Sequence, residues 1–215
     1  MALASGGVIH NLGQDDAAVL DDIRRYLSYF PSSAWSYPTS LSADESTGRR
    51  STPPELLEIV PRGNRRVYDM RAVLDVVFDN PDWFEVQPKF GPAMICALAH
   101  LGGHPVAVVA NQPKVMAGSI DADAADKAAH FISVADAFHL PIVFLADNPG
   151  MMPGSRSERQ GVLRSGARMF AAQTAATTLK LHVTLRKAYG FGSMVMSLLG
   201  FDNQSATFAY PPGAT

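Results

Sequence analysis

This chain predicts an α/β fold in which strands and helices alternate, and three observations carry that prediction. Short apolar runs at 104–110, 141–147, 181–185 and 206–210 read as strands, each followed by glycine or proline. Segments at 123–138, 157–176 and 191–199 carry helical spacing and lie between those strands. The strand–turn–helix unit also returns at about crossover spacing without a close sequence repeat. Alternation of this kind implies parallel pairing, with helices packed against the sheet.

Each element has its own signal. Residues 15–29 place Ala18, Val19, Ile23 and Leu27, with Phe30 just beyond, near helical spacing, and Asp15, Asp16, Asp21 and Asp22 lie in the early turns, where the helix dipole favours negative charge. Residues 31–67 change to a Ser-, Thr- and Pro-bearing composition. They read as an extended linker with a short helix near Pro54, Glu55 and Leu56. The main domain is expected over 68–215, with residues 1–30 as a helix from an inter-domain region. It opens with a helix at 70–78 and a strand at 83–87. The run Ala93-Met94-Ile95-Cys96-Ala97-Leu98 reads as buried packing, and His100-Leu101-Gly102-Gly103-His104 as a hairpin turn. In 123–138 an apolar stripe of Ala124, Ala128, Phe131, Ile132, Ala135 and Phe138 is predicted, with Asp121 or Asp123 as N-cap. In 157–176, Ser157 and Gln160 have capping-box spacing. A helix should follow the last strand, so the fold is expected to be cut short at its C-terminal end.

Composition bounds the function. With 215 residues, 47% hydrophobic and 18% charged, the chain can bury one substantial core. A net charge of −2 gives no general attraction to nucleic acid or to an anionic membrane. The basic cluster Arg62-Gly63-Asn64-Arg65-Arg66 is local and reads as a solvated loop. A single cysteine, Cys96, excludes an intrachain disulfide and fits a reducing compartment. No apolar run reaches the roughly 18 residues of a membrane span. The opening Met1-Ala2-Leu3-Ala4 lacks a signal-peptide pattern, so a cytoplasmic location is expected. The six histidines show no metal-ligand spacing, and no metal site is expected.

The chemistry is expected at the strand ends. Leu181-His182-Val183-Thr184-Leu185 leads through Tyr189, Gly190, Phe191 and Gly192 into an apolar helix. Such a strand–Gly turn–helix junction presents unpaired backbone N–H groups at the positive end of a helix, where an anion or a developing oxyanion can sit. A tight connection alone would satisfy the same glycines. Two further unusual turns follow strands: Asn111-Gln112-Pro113 with Ala117-Gly118, and Asn148-Pro149-Gly150-Met151-Met152-Pro153-Gly154.

In their order and spacing these motifs resemble the C-terminal half of the biotin-dependent acyl-CoA carboxyltransferases, the propionyl-CoA and acetyl-CoA carboxylase β subunits. The resemblance also takes in Tyr68-Asp69-Met70-Arg71, Phe84-Glu85-Val86-Gln87-Pro88 and Asp126-Lys127-Ala128-Ala129-His130-Phe131-Ile132. Gly161, Arg164-Ser165-Gly166-Ala167 and Arg186-Lys187-Ala188-Tyr189-Gly190 continue it. It implies a crotonase-like (ClpP/crotonase) spiral of ββα units and a site between halves of different subunits. It also implies transfer of a carboxyl group from carboxybiotin, carried on a partner protein, to the α-carbon of a coenzyme A thioester. A biotin carboxyl carrier or biotin carboxylase subunit is the implied partner, with an N-terminal carboxyltransferase half or a second copy of the chain completing the site. The oxyanion donors fall on the N–H groups of Phe191 and Gly192, with Gly190 permitting the turn. Pro149, Gly150, Met151, Met152, Gly154, Tyr189 and Met194 fall on the biotin and acyl pocket, and Ala117 and Gly118 beside it. No acid–base triad is then required, because the cofactor supplies the base.

Two departures accompany the resemblance. The family's Ala-Tyr-Gly-Gly-Ala is here Ala188-Tyr189-Gly190-Phe191-Gly192, and the ring of Phe191 adds bulk in the turn. The N-terminal half of the family's subunit has no counterpart in these residues. A non-catalytic or remnant carboxylase-complex subunit is one rival reading. The other is a ClpP-like serine hydrolase using Ser193, with His139 or His182 and Asp147 as partners.

Overall fold

Among the described residues, the five strand candidates and one further strand align into one six-stranded sheet whose spatial order is the chain order. The computed structural model describes residues 2–41, 55–63, 65–79, 83–198, 204–211 and 213. Helices α1 (Ala2–Ser5), α2 (Asp16–Ser28), α3 (Glu55–Ile59) and α4 (Met70–Val77) precede the sheet. Strands β1 (Phe84–Val86), β2 (Met94–Leu101) and β3 (His104–Asn111) follow, then a 3-10 turn (Met116–Gly118) and α5 (Ala122–Ala137). The chain continues through β4 (Ile142–Asn148), α6 (Ser155–Arg159), α7 (Val162–Ala175), β5 (Lys180–Ala188), α8 (Gly190–Val195) and β6 (Gln204–Ala209).

Parallel pairing holds from β3 to β6, but β1, β2 and β3 are antiparallel, so the sheet is mixed. The hairpin expected at 100–104 makes the difference. Leu101 pairs with His104, and both Gly102 (φ 60°) and Gly103 (φ 80°) take the left-handed backbone of a tight two-residue turn. The run at 93–98 is therefore not merely packed but is the strand β2. It shows no apolar–polar alternation because both of its faces are buried. Met94, Cys96 and Leu98 join a core with Val109, Phe131, Phe144 and Met169, on the α5 and α7 side. Ile95, Ala97 and Ala99 join a second core with Val73, Leu74, Val108 and Leu145, on the α4 side. Burial pushes the Cys96 thiol up to about 12, which makes it a packing residue rather than a nucleophile.

Aspartates cap the helices as the dipole requires: Asp15 accepts from Ala18 N–H, Asp69 from Arg71 N–H and Asp121 from Ala124 N–H. The helix expected at 157–176 is two helices. Gly161 (φ 83°) stands in the left-handed region, which no right-handed helix continues through, and Ser157 is buried inside α6 instead of capping. The helix expected at 191–199 ends at Val195, four residues early. Within the described part of the expected linker, histidines of the body engage the chain. His139 Nε2 lies 3.0 Å from Ala34 O, and Ser40 Oγ lies 2.7 Å from His104 Nδ1. Most of the remaining expected linker, residues 42–54, lies outside the described residues. Among the described residues, no helix is long and apolar enough to cross a membrane.

Candidate active site at three strand ends

Strands β3, β4 and β5 run parallel, so their C-terminal ends open on one edge of the sheet, where α/β proteins bind ligands. Each end is tied to the next by buried polar groups. Asn111 Oδ1 accepts from Asp147 N–H (3.1 Å) and from Asn148 Nδ2 (3.0 Å), and Asn148 Oδ1 accepts from Gly150 N–H (3.0 Å). The segment after the 3-10 turn joins them: Ile120 N–H donates to Gly150 O (3.1 Å) and Met152 N–H to Ile120 O (2.8 Å). Close backbone approach explains two of the glycines. A Cβ on Gly118 would stand 2.2 Å from Asp147 O, and one on Gly192 would stand 2.2 Å from Asn148 Oδ1 and 2.7 Å from Gly150 Cα.

At the third end, Tyr189 is extended and Gly190 turns with φ 55°. Ser193 N–H donates to Tyr189 O (3.3 Å), the first bond of this helical turn, so the amides of Gly190, Phe191 and Gly192 have no acceptor within the helix. Gly190 is exposed and Phe191 half-buried. The Phe191 ring lies against α7, 5.9 Å from the ring of Phe170. It shares the space above Gly166 with Met151, since a Cβ there would meet Phe191 Cε1 at 2.9 Å and Met151 Cε at 2.8 Å. The bulk expected to crowd the turn is thus taken up by a glycine and a phenylalanine of α7.

Behind the junction lies a buried charge cluster. Arg186 Nε donates to Asp147 Oδ2 at 2.7 Å, with both side chains almost wholly buried. Arg186 Nη1 donates to Gly63 O (2.9 Å) and Arg66 O (2.7 Å), and its guanidinium lies 4.8 Å from the ring centroid of Tyr68. The basic loop is solvent-facing at Arg65 and Arg66, as expected, but its carbonyls anchor this cation. Burial, and then the Asp147 carboxylate, push the Tyr68 phenol far up, so it stays protonated.

Residues 1–212 match the profile of the carboxyl transferase domain. The chain belongs to that family. It is 39% identical over 193 residues to the biotin-dependent long chain acyl-coenzyme A carboxylase beta4 subunit of Mycobacterium tuberculosis, covering 90% of this chain and 37% of the relative. It is 37% identical over 210 residues to the propionyl-CoA carboxylase carboxyltransferase subunit of Haloferax mediterranei, covering 97% and 40%. A crystal structure of transcarboxylase 12S, a hexamer with methylmalonyl-coenzyme A and methylmalonic acid bound, superposes with a TM-score of 0.91 at 36% identity, covering 98% of this chain and 41% of that one. The fold is the crotonase-like fold of these carboxyltransferases, and the chain spans about two-fifths of the length of the curated relatives it matches.

The carboxyl transferase fold gathers Ala117, Gly118, Pro149, Gly150, Met151, Met152, Tyr189, Gly190, Phe191 and Gly192 around one junction. Gly154 stands apart as the N-cap of α6, with open space around it, and Met194 lies farther along α8 with its carbonyl accepting from Gln173 Nε2 (3.2 Å). Sequence reasoning missed Asn111 and Asn148 as the groups that lock the strand ends together. Their signal was a buried-type apolar run ending in asparagine, twice. The hydrolase reading finds its groups engaged elsewhere. Ser193 Oγ donates to Gly190 O (2.7 Å), Asp147 holds Arg186, and His139 faces Ala34 O. Both nitrogens of His182 are taken, by Met196 O (2.7 Å) and Thr184 Oγ1 (2.8 Å).

That environment makes His182 a pH-dependent stability element. Burial holds its imidazole below the ordinary pKa, against a smaller upward pull from Met196 O. Its contribution is therefore present above the unfolded value of about 6.5 and is lost as pH falls through the lower folded value. His10 and His100, also lowered chiefly by burial, act in the same direction. The urea midpoint is expected to fall between about pH 7.5 and about pH 5. A flat profile would show that these imidazoles are not held neutral.

Proposed function

We propose that this chain forms the carboxybiotin-side half of an acyl-CoA carboxyltransferase, which moves a carboxyl group from carboxybiotin to the α-carbon of a short-chain acyl-CoA of the propionyl or acetyl type. The observation that carries this reading is the placement of the Phe191 and Gly192 amides, at the mouth of α8 where three strand ends meet. Preorganised backbone donors of this kind stabilise an oxygen on which negative charge develops. The surrounding residues suit a biotin head: Met151, Met152 and Phe191 are half-buried and offer an apolar wall beside those donors, with Pro149 exposed at the rim. The cofactor, when bound, would supply the carboxyl group and a nitrogen base.

The chain's own residues would orient and stabilise. Phe191 and Gly192 would donate to the oxygen, Gly190 would set the turn, and Tyr189 with Met151 and Met152 would border the pocket. Ala117 and Gly118 would lie near the acyl-CoA or the biotin, and Met194 and Gly154 would lie at the pocket's margin. An apolar Met194 suits a short alkyl group better than a polar one. Residues 1–30 and 31–67 would serve as the inter-domain helix and linker before the domain at 68–215. A biotin carboxyl carrier would deliver the carboxyl group, and an N-terminal half or a second copy would complete the site. The curated relatives support this reading, since their names describe subunits of biotin-dependent and CoA-dependent carboxylases.

Carboxyl exchange from malonyl-CoA or methylmalonyl-CoA to free biocytin tests the proposal, with the chain alone and with a candidate N-terminal half added. Exchange is expected only in the mixture. Phe191→Pro removes one amide donor at a first-turn position that tolerates proline, and should lower kcat by roughly 10²- to 10³-fold. An undiminished rate in that variant would remove the amide from the mechanism. No exchange in a verified, folded complex would favour the non-catalytic reading.

A further inference from the structure

We propose that Lys187 is a positioning residue of this site, pinning a strained left-handed turn against the strand ends. Met116 (φ 47°), Ala117 (φ 56°) and Gly118 (φ 85°) are three successive residues in the left-handed region, and only the third is a glycine. For the first two, the Cβ crowds the backbone, so the conformation persists only where tertiary contacts impose it. Met116 is 38% exposed, so burial of its side chain does not supply that constraint. The turn's own bonds, Gly118 N–H to Val115 O (2.9 Å) and Ser119 N–H to Met116 O (3.0 Å), close it without tying it to the sheet.

A backbone bridge beyond the turn and one side chain at its apex tie it down. On the C-terminal side Ile120 N–H reaches Gly150 O (3.1 Å) and Ile120 O accepts from Met152 N–H (2.8 Å), and at the apex Lys187 Nζ donates to Ala117 O (3.2 Å). Lys187 is only 7% exposed, and it stands two residues before Tyr189, which caps α8. Its ammonium is held within the fold by Asp147, whose Oδ1 lies 3.7 Å away while Arg186 occupies Oδ2. Arg186 alone neutralises Asp147, so completing that pair does not require a second cation. A lysine does suit the remaining task, because a flexible stem with three donors can reach a carbonyl that a rigid guanidinium fork fits poorly. One side chain of β5 thereby couples the Ala117 turn to the strand that feeds the Phe191 and Gly192 amides. The consequence for catalysis rests on the carboxyl-transfer reading; the pinning of the turn does not.

Hydrogen exchange of the chain separates the two. In Lys187→Met, amides 116–120 should exchange about tenfold faster, while β2 and β3 stay near wild-type rates. Lys187→Arg, which keeps the charge, should recover part of the protection. Ala117→Gly relieves the strain, so Lys187→Met should have at most about a threefold effect in that background. Unchanged exchange at 116–120, acceleration spread evenly over the sheet, or an equal effect in both backgrounds would overturn the pinning. In carboxyl exchange with the N-terminal half present, Lys187→Met should lower kcat about tenfold with the acyl-CoA KM little changed. A loosened turn with unchanged kcat would overturn the catalytic part of this assignment. Wild-type protein inactive in the verified complex would instead refute the carboxyl-transfer reading, and with it that catalytic part, while the exchange arm still decides the pinning.

Discussion

Asp147→Asn is expected to destabilise the protein by about 3–5 kcal/mol, the penalty for stripping a buried ion pair of one partner. Arg186 is fully buried, and among the described residues its anion is Asp147, with Oδ2 at 2.7 Å; the carbonyls of Gly63 and Arg66 offer dipoles but no compensating charge. Lys187, 3.7 Å from the other carboxylate oxygen, loses its partner in the same step. An asparagine keeps the shape and one acceptor, so packing loss contributes little and the effect reports charge. The urea midpoint should fall with an unchanged m-value. Replacing the pair together, Asp147→Leu with Arg186→Met, should recover part of the loss, because the guanidinium no longer needs a counter-ion while the Lys187 ammonium still lacks one. A loss below about 1 kcal/mol for the single variant would mean that solvent reaches the cluster.

Gly192→Ala should be far more damaging than the neighbouring Gly190→Ala. In isolation, alanine inside a helix gains up to about 1 kcal/mol over glycine. Here its methyl group would lie 2.2 Å from Asn148 Oδ1 and 2.7 Å from Gly150 Cα. The second neighbour is backbone and the first is locked by Asn111 and Gly150, so neither can give cheaply. Overpacking of this kind costs about 1–3 kcal/mol or more and outweighs the helix gain. Gly190→Ala is the instructive contrast: φ is 55° but nothing lies within 4 Å, so only the local left-handed strain of about 1 kcal/mol remains. Thermal melting should order the two variants with Gly192→Ala lower. The reverse order would mean that Asn148 moves aside freely. Under the proposed carboxyl-transfer function, displacement of the Gly192 amide should also depress carboxyl exchange far more than the stability change does, because donor geometry decides an oxyanion contribution.

Local rules made much of this chain readable. Asp15, Asp69 and Asp121 precede helical runs and cap them, and Gly102-Gly103 between two apolar runs makes a hairpin. The strand–glycine–helix passage through Tyr189 to Gly192 announced where amide donors would be free. All of these depend on contacts within a few residues, so their physics is present in the order of the amino acids. The run at 93–98 was ambiguous for the opposite reason: a strand buried on both faces has no alternation, and only the neighbours β1 and β3 reveal it as β2. Gly161 likewise looked like one residue of a longer helix until its left-handed backbone divided α6 from α7.

What tertiary structure alone decided is the site. Asn111 meets Asn148 across 37 residues, Arg186 meets Asp147 across 39, and Lys187 meets Ala117 across 70. Nothing in the spacing of such polar residues names the partner, because each pairing exists only once the sheet has set β3, β4 and β5 side by side. The sequence by itself determined the elements, their caps and the turn that frees the amides. Packing determined which turns face one another, and so where those amides, the left-handed turn and the buried charges come together.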